Sequence, residues 1–319
     1  MDEQRKRARM TTTVSDWRAA ADPDDLREYD RFGPWIDQVT QPVDLPRRFR
    51  PWWPELSGAR YVLKVPRPYD RAQVRPGMDL YESVIAVLPE SLCVLQAGPT
   101  DIVRRDVARE EIVATIQFSD LLVGRWSLLL SDGSAVDIRY NTVSVPTITE
   151  VDRYLLSLPT PGEWSPGSTP PLRPRDLFFR SMTASLNPGN PSRIRPVHVE
   201  EPGQPCRTDR NRRRRSAGMM VLASPDDLVI FHRGMAAQPL FRRANYSSAL
   251  VTIPFRLMTS FEVRRPAQTS PASFSQLVVA CGQQVITQPC LARPQAVAAL
   301  LVAHGVPVAD RAEPAAQGA

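Results

Sequence analysis

Along 121–141, Trp126, Leu128 and Leu130 interleave with Ser127, Leu129 and Ser131, and Val136, Ile138 and Tyr140 interleave with Asp137 and Arg139. Between the two runs stands Asp132-Gly133. Period-two alternation on both sides of an Asp-Gly pair predicts a β-hairpin, because Gly supplies the positive φ of a tight turn. A hairpin alone is marginal in water, so this one is expected inside a larger sheet with an apolar face. Short strands are predicted upstream at 84–88 and 92–95, joined by Pro89-Glu90-Ser91, and then at 101–105 and 112–118. Downstream, Val151, Tyr154, Leu155 and Leu158 fall on one helical face, and Thr147 with Glu150 has the spacing of a capping box. The expected helix would dock its stripe on the sheet, since about twelve residues are marginal alone.

A second block runs from about 218 to 306 and repeats this order. Pro225-Asp226-Asp227 followed by Leu228-Val229-Ile230-Phe231 echoes Pro89-Glu90-Ser91 followed by Leu92-Cys93-Val94-Leu95. Ile253, Leu257 and Phe261 stand where the first block has Ile112 and Ile116. The run 277–282 ends in Cys281-Gly282 and repeats the hairpin, with Cys-Gly in place of Asp-Gly. Pro294, then Val297, Leu300, Leu301 and His304, then Gly305, read as a closing helix with a start and a stop.

The remaining segments lack this periodicity. Residues 1–24 and 307–319 are expected to be disordered tails. Residues 25–76 carry Tyr29, Phe32, Trp35, Phe49 and the Trp52-Trp53 pair among several prolines, then a strand-like run at 61–66, and are expected to form an arm packed on the first domain at 77–159. Residues 160–217 read as a Pro/Arg-rich linker ending in Arg210, Arg212, Arg213, Arg214 and Arg215; within it, Leu177, Phe178, Met182 and Leu186 of the run 176–186 could make a short helix or strand against a neighbouring domain.

Composition changes this picture little. The chain has 319 residues, 42% apolar and 23% charged, which suits two cores of a soluble protein. Its 32 prolines, about twice the usual share, fit long irregular connections. A net charge of +6 invites a polyanion, but Lys stands only at 6 and 64, and an Arg-for-Lys bias with many Ala and Pro fits a GC-rich bacterial genome. Cys93, Cys206, Cys281 and Cys290 form no CxxC pair, so a reducing compartment is expected. With no signal peptide and no apolar run of about 18 residues, the expectation is a cytoplasmic protein.

The two blocks of short meandering strands, each closed by one amphipathic helix, resemble pleckstrin-homology-like (PH-like) domains. The strand at 112–118, Gly124 and the Asp132-Gly133 hairpin resemble bacterial versions. His232-Arg233-Gly234 and the YSSALVTIP run at 246–254 resemble uncharacterised bacterial proteins with two such domains. The resemblance implies a mainly β fold with α (α+β): two bent sheets or barrels at 77–159 and 218–306. It also implies a platform whose sheet edge and helix groove take a protein or peptide partner. Lipid-binding members place Lys/Arg in the first hairpin. With Pro89-Glu90-Ser91 and Pro225-Asp226-Asp227 aligned there, the acidic turns would repel an anionic head group.

Candidate chemistry is sparse. His198, His232 and His304 have no Cys or Ser at nucleophile spacing, and no Gly-rich phosphate loop, metal spacing or nucleophile elbow occurs. No catalytic residue, metal or cofactor is expected. The best anion or acidic-peptide site is Arg233, Arg242 and Arg243 with Phe241 and Tyr246 as an aromatic rim. The Arg run at 210–215 is a second basic segment that could meet a membrane surface or nucleic acid. The expected function is a non-catalytic adaptor, and the alternative is a peripheral binder of anionic surfaces.

Overall fold

The structure is a computed structural model and describes residues 18–156, 177–186, 194–200, 205–206, 214–215, 218–233, 238–239, 247–264, 275–291 and 294–309. Its described elements are mainly β, with antiparallel sheets, none closed, and helices beside them. The chain divides into two compact units: residues 1–109 with 139–151, and residues 110–138 with 152–319.

In the first unit, helix α1 (Pro23–Arg31) begins inside the stretch expected to be a tail. Asp22 caps it by accepting from the Asp24 amide at 2.8 Å, Pro23 holds the first position, and Asp24 and Asp25 fill the first turn. Arg18 forks onto Asp30 at 2.8 and 3.0 Å. A five-stranded sheet follows in the order β1 (Asp37–Gln38), β2 (Tyr61–Pro66), β3 (Tyr81–Val87), β4 (Ser91–Ala97), β5 (Ile102–Ala108), with the short helix α2 (Trp53–Leu56) before β2. The run at 61–66, expected in an arm, is an interior strand buried at every position. The aromatic stretch before it seats Phe32, Leu45, Phe49 and Leu56 on Val62, Tyr81 and Val84, with Trp52 and Trp53 packed against the same core. Both tryptophans therefore serve as anchors of that segment.

The second unit holds most of a seven-stranded sheet in the order β8-β7-β6-β15-β13-β12-β9. Its strands are β6 (Ile112–Asp120), β7 (Val123–Leu130), β8 (Ala135–Asn141), β9 (Arg195–Glu200), β12 (Met219–Ala223), β13 (Asp227–Arg233) and β15 (Ser248–Pro254). The Asp-Gly hairpin forms as expected. Gly133 takes φ +87, the Asp132 side chain accepts from the Ser134 amide at 2.8 Å, and Trp126, Leu128, Leu130, Val136, Ile138 and Tyr140 are all buried. Strands expected in two separate domains meet in this sheet: β6 pairs with β15 from Thr115↔Thr252 to Ser119↔Ser248. A second sheet stacks β16 (Ser260–Arg264), β17 (Ser275–Cys281) and β18 (Gln284–Leu291), and helix α5 (Gln295–Ala303) ends at Gly305 with φ +73. The core between them joins Val221, Ile230, Ile253, Leu277, Val279 and Leu301. Residues 307–309 pair with β16, the Phe261 amide donating to the Pro307 carbonyl at 2.9 Å and the Ala309 amide to the Phe261 carbonyl at 2.8 Å.

Element order recurs along the chain. Strands β2 to β5, a 3-10 turn (Arg109–Glu111), strands β6 to β8 and helix α3 (Val145–Leu156) are followed, leaving aside a helix at Leu177–Leu186 and three two-residue strands (Pro205–Cys206, Arg214–Arg215 and Gln238–Pro239), by β9, β12, β13 and β15, a 3-10 turn (Phe255–Leu257), strands β16 to β18 and α5. Because β2 and β9 come first, the Pro-acid turns close the second hairpin of each run and not the first. The first connections are instead 67–80, with Arg67, Arg71 and Arg75, and 201–218, with the Arg run. Of the two opening strands, the run at 61–66 reads as strand-like but follows a Trp/Pro stretch that marks it as arm, and the other, Arg-Pro-Val-His-Val-Glu, is hidden in Pro-rich text. Helix α3 also starts earlier than its capping-box spacing predicts. Asn141 caps the turn before it, accepting from the Val143 amide at 3.1 Å, and Glu150 accepts from the Tyr61 hydroxyl at 2.9 Å.

Candidate functional site

Arg233 is the one member of the expected basic cluster among the described residues. Phe241, Arg242, Arg243 and Tyr246 lie outside them, as do Arg210, Arg212 and Arg213. Arg233 ends β13, and its guanidinium lies 4.5 Å from the ring centroid of Phe178 in helix α4 (Leu177–Leu186). Phe178 in turn leans on Phe231 at 5.2 Å, and Phe179 meets the same ring edge-on at 5.9 Å. The aromatic partner of Arg233 is thus supplied by α4, from the segment expected to be linker. Arginine stacks well because its planar cation is weakly hydrated. Phe179, Leu186, Met220, Leu222 and Phe231 form the buried cluster that fixes α4 on the sheet.

The backbone also draws the two Arg-bearing segments together. Strand β10 (Pro205–Cys206) pairs with β11 (Arg214–Arg215), which pairs with β14 (Gln238–Pro239) in the register Arg214↔Pro239 and Arg215↔Gln238. The end of the 210–215 run therefore lies beside a strand that stops three residues short of Arg242 in the sequence.

A feature at the same sheet end escaped the reading of the sequence. Strands β6 and β7 are joined by Leu121-Leu122 alone, with Asp120 paired to Val123. Leu121, Leu122 and Val123 are 68, 66 and 63% exposed. Leu121 has φ +50, at the first turn position, where Gly is ordinarily found. A left-handed Leu costs roughly 1–2 kcal/mol. The only signal in the sequence was negative: two alternating runs joined with no Gly, Asn or Pro between them.

Two buried acid clusters are structural. Asp152 of α3 is fully enclosed and accepts from Trp126 Nε1 at 2.8 Å, Gln117 Nε2 at 2.9 Å and Thr115 Oγ1 at 3.0 Å. Burial pushes its carboxyl up from the usual range, against the downward pull of those donors. Its place was legible, since Asp152 stands four residues after buried Ile148 on the helix's inner face. In the β12–β13 turn, the Ser224 hydroxyl accepts from the Asp226 and Asp227 amides at 3.1 and 2.9 Å. Burial first, then the charge of Asp226, raises Asp227 to about 7. One buried oxygen of each Asp has no hydrogen-bond partner among the described residues.

His232 and His304 are placed structurally too. His232 Nε2 donates to Gln288 Oε1, and burial holds its pKa down. His304 stacks on Phe255 at 3.8 Å, and burial likewise lowers it. Cys93 and Cys281 are buried free thiols, each raised by burial to about 12, so neither is an activated nucleophile. In the first unit, a cleft lined by Glu28, Arg31, Asp44, Lys64 and Tyr81 encloses about 10 Å³ of free volume, room for one water and far too little for a metabolite. Among the described residues, no three potential metal ligands converge and no helix is long and apolar enough to cross a membrane. No protein-family model matches the chain, and no curated protein matches it.

Proposed function

We propose that the chain is a non-catalytic cytoplasmic adaptor built from two PH-like repeats, which holds a protein or peptide partner on its sheet edges and helix grooves. The observation that carries this reading is the recurrence of four strands, a 3-10 turn, three strands and a helix, with a Pro-acid turn at the same place in each run. The described side chains fit docking better than turnover. His232, His304, Cys93 and Cys281 are absorbed into packing, while apolar side chains project at a sheet end.

A second reading, a peripheral binder of anionic surfaces, is favoured by the β10-β11-β14 ladder, which aligns Arg214-Arg215 with the strand leading to Arg242 and Arg243. The acidic-turn argument against it lapses, because the first connection of the second run carries the Arg run. Capture of partners from extracts of the source cells by the immobilised full chain, at low and high salt, separates the readings. A discrete protein retained at high salt supports the adaptor. Retention of membrane fragments or nucleic acid that collapses with ionic strength supports the second. Nothing retained at either salt overturns both.

A further inference from the structure

The geometry points to a bilayer-inserting edge at one end of the seven-stranded sheet, with the Leu121-Leu122-Val123 tip as its wedge and an anionic membrane as its partner. This rests on the anionic-surface reading and names the surface. Three observations meet there.

First, the tip projects. It is a two-residue connection closing the longest hairpin arm of the sheet, and its three side chains remain largely exposed. A peptide groove is concave, whereas a strained convex apolar turn fits a medium that closes around it. Keeping Leu at φ +50, where Gly or Asn would relieve the backbone, places an aliphatic side chain at the extremity.

Second, the register places further apolar surface along the same end. Gly124 pairs with Ser119, Ser119 with Ser248, and Ser248 with Arg233. Two strand spacings, about 10 Å, separate the hairpin from Arg233. Beside Arg233 stand Phe178 and Leu177 at the start of α4, both exposed.

Third, positive charge flanks the apolar residues, although Asp120 and the buried Glu200, which the register sets at this end through Met219, are acidic. Arg125 is exposed two positions from Val123, on the same face of β7, and Arg233 crosses the Phe178 ring. Asp120 is the acidic residue at the tip itself. Aliphatic and aromatic side chains that enter the acyl boundary, beside arginines that meet phosphates, are what an anionic bilayer surface accommodates.

The test uses the full chain and vesicles of phosphatidylcholine with or without phosphatidylglycerol, read by co-sedimentation. Heparin binding measured in parallel reports the polyanion affinity alone. Leu121, Leu122 and Val123 are exposed, so L121S/L122S/V123S is expected to fold, checked by circular dichroism. It should bind anionic vesicles at least about tenfold more weakly and heparin unchanged. R125Q/R233Q should lose the preference for anionic over neutral vesicles. Heparin binding without vesicle binding, or a triple variant that sediments like the parent, overturns the wedge and leaves the anionic-surface reading standing. Binding to neither probe removes both.

Discussion

At the scale of the residue, the buried acids of the second unit make the clearest statement. Asp152 is matched by three neutral donors, so its enclosure is a satisfied one. Asp227 is not matched in the same way. The Ser224 hydroxyl reaches it only at 3.3 Å, its other oxygen is unpartnered among the described residues, and Asp226 and Asp152 add like charge that Arg256 only partly offsets. Its folded pKa of about 7 lies above the ordinary carboxylate value of the unfolded chain. The native state therefore holds this proton more tightly, and ionisation opposes folding. The penalty is fully present above about pH 7 and fades as pH falls through the folded pKa toward the unfolded one. Asp227→Asn keeps an acceptor toward Ser224 and removes the charge. It should raise the urea midpoint at about pH 8 and leave it nearly unchanged near pH 4, so that the parent's rise in stability on acidification is flattened in the variant. Parallel pH profiles for the two proteins would show that Asp227 is not the source.

Among elements, the two tight hairpins show how similar sequence signals carry different loads. Gly133 and Gly282 both take positive φ, +87 and +59, so either substitution by Ala costs backbone strain of about 1 kcal/mol. Their surroundings differ. A Cβ on Gly133 would meet only the Gln283 side chain, at 3.6 Å, whereas one on Gly282 would sit 2.7 Å from the Ser131 carbonyl oxygen. That close approach is where the hairpins join, the Gln283 amide donating to Ser131 O and Gln284 Nε2 to Ser134 O, each at 2.8 Å. Gly282→Ala should therefore destabilise by roughly 3 kcal/mol and Gly133→Ala by about 1, measured by chemical denaturation. Equal losses would mean that the hairpin contact carries little.

These elements were legible because their signals are local. The Asp-Gly turn, the buried alternation of β7 and β8, and Pro294 before α5 with Gly305 after it are all written within a few residues. Three features were not, and each depends on distant chain. The Leu121 turn lacks any turn residue, the apolar run at 176–186 left helix and strand open until Phe179 and Leu186 packed on β12 and β13, and Phe178 became the ring under Arg233 through that same packing. Strand β2 was legible as a strand, but burial on both faces hid its interior place in a sheet, and a Pro at the second position hid β9 altogether.

On the scale of the whole molecule, most strands of the two runs are readable from the sequence but the way the runs combine is not. Period and turn chemistry specify each strand's faces, while an edge carries no comparable mark, because ladder hydrogen bonds are made by backbone groups common to every residue. Here β6 and β15 join edge to edge over five residue pairs, making one sheet from strands of both runs. The Pro-rich segment at 157–176 is thus a covalent tether between partners that already share a ladder. Cutting the chain there, as separately expressed residues 1–159 and 160–319, strips β6 and β15 of each other. Each half would then present a bare edge, with Ile116 and Val251 no longer facing a neighbour. Neither half should remain a well-behaved monomer alone, while the two mixed together should elute as a one-to-one complex by size-exclusion chromatography. Amide exchange in β6 and β15 should be slow in the complex and fast in each half. Two halves that stay monomeric, protected at these strands and indifferent to each other would show that each copy closes its own sheet, and the shared ladder would then have no part in holding the molecule together.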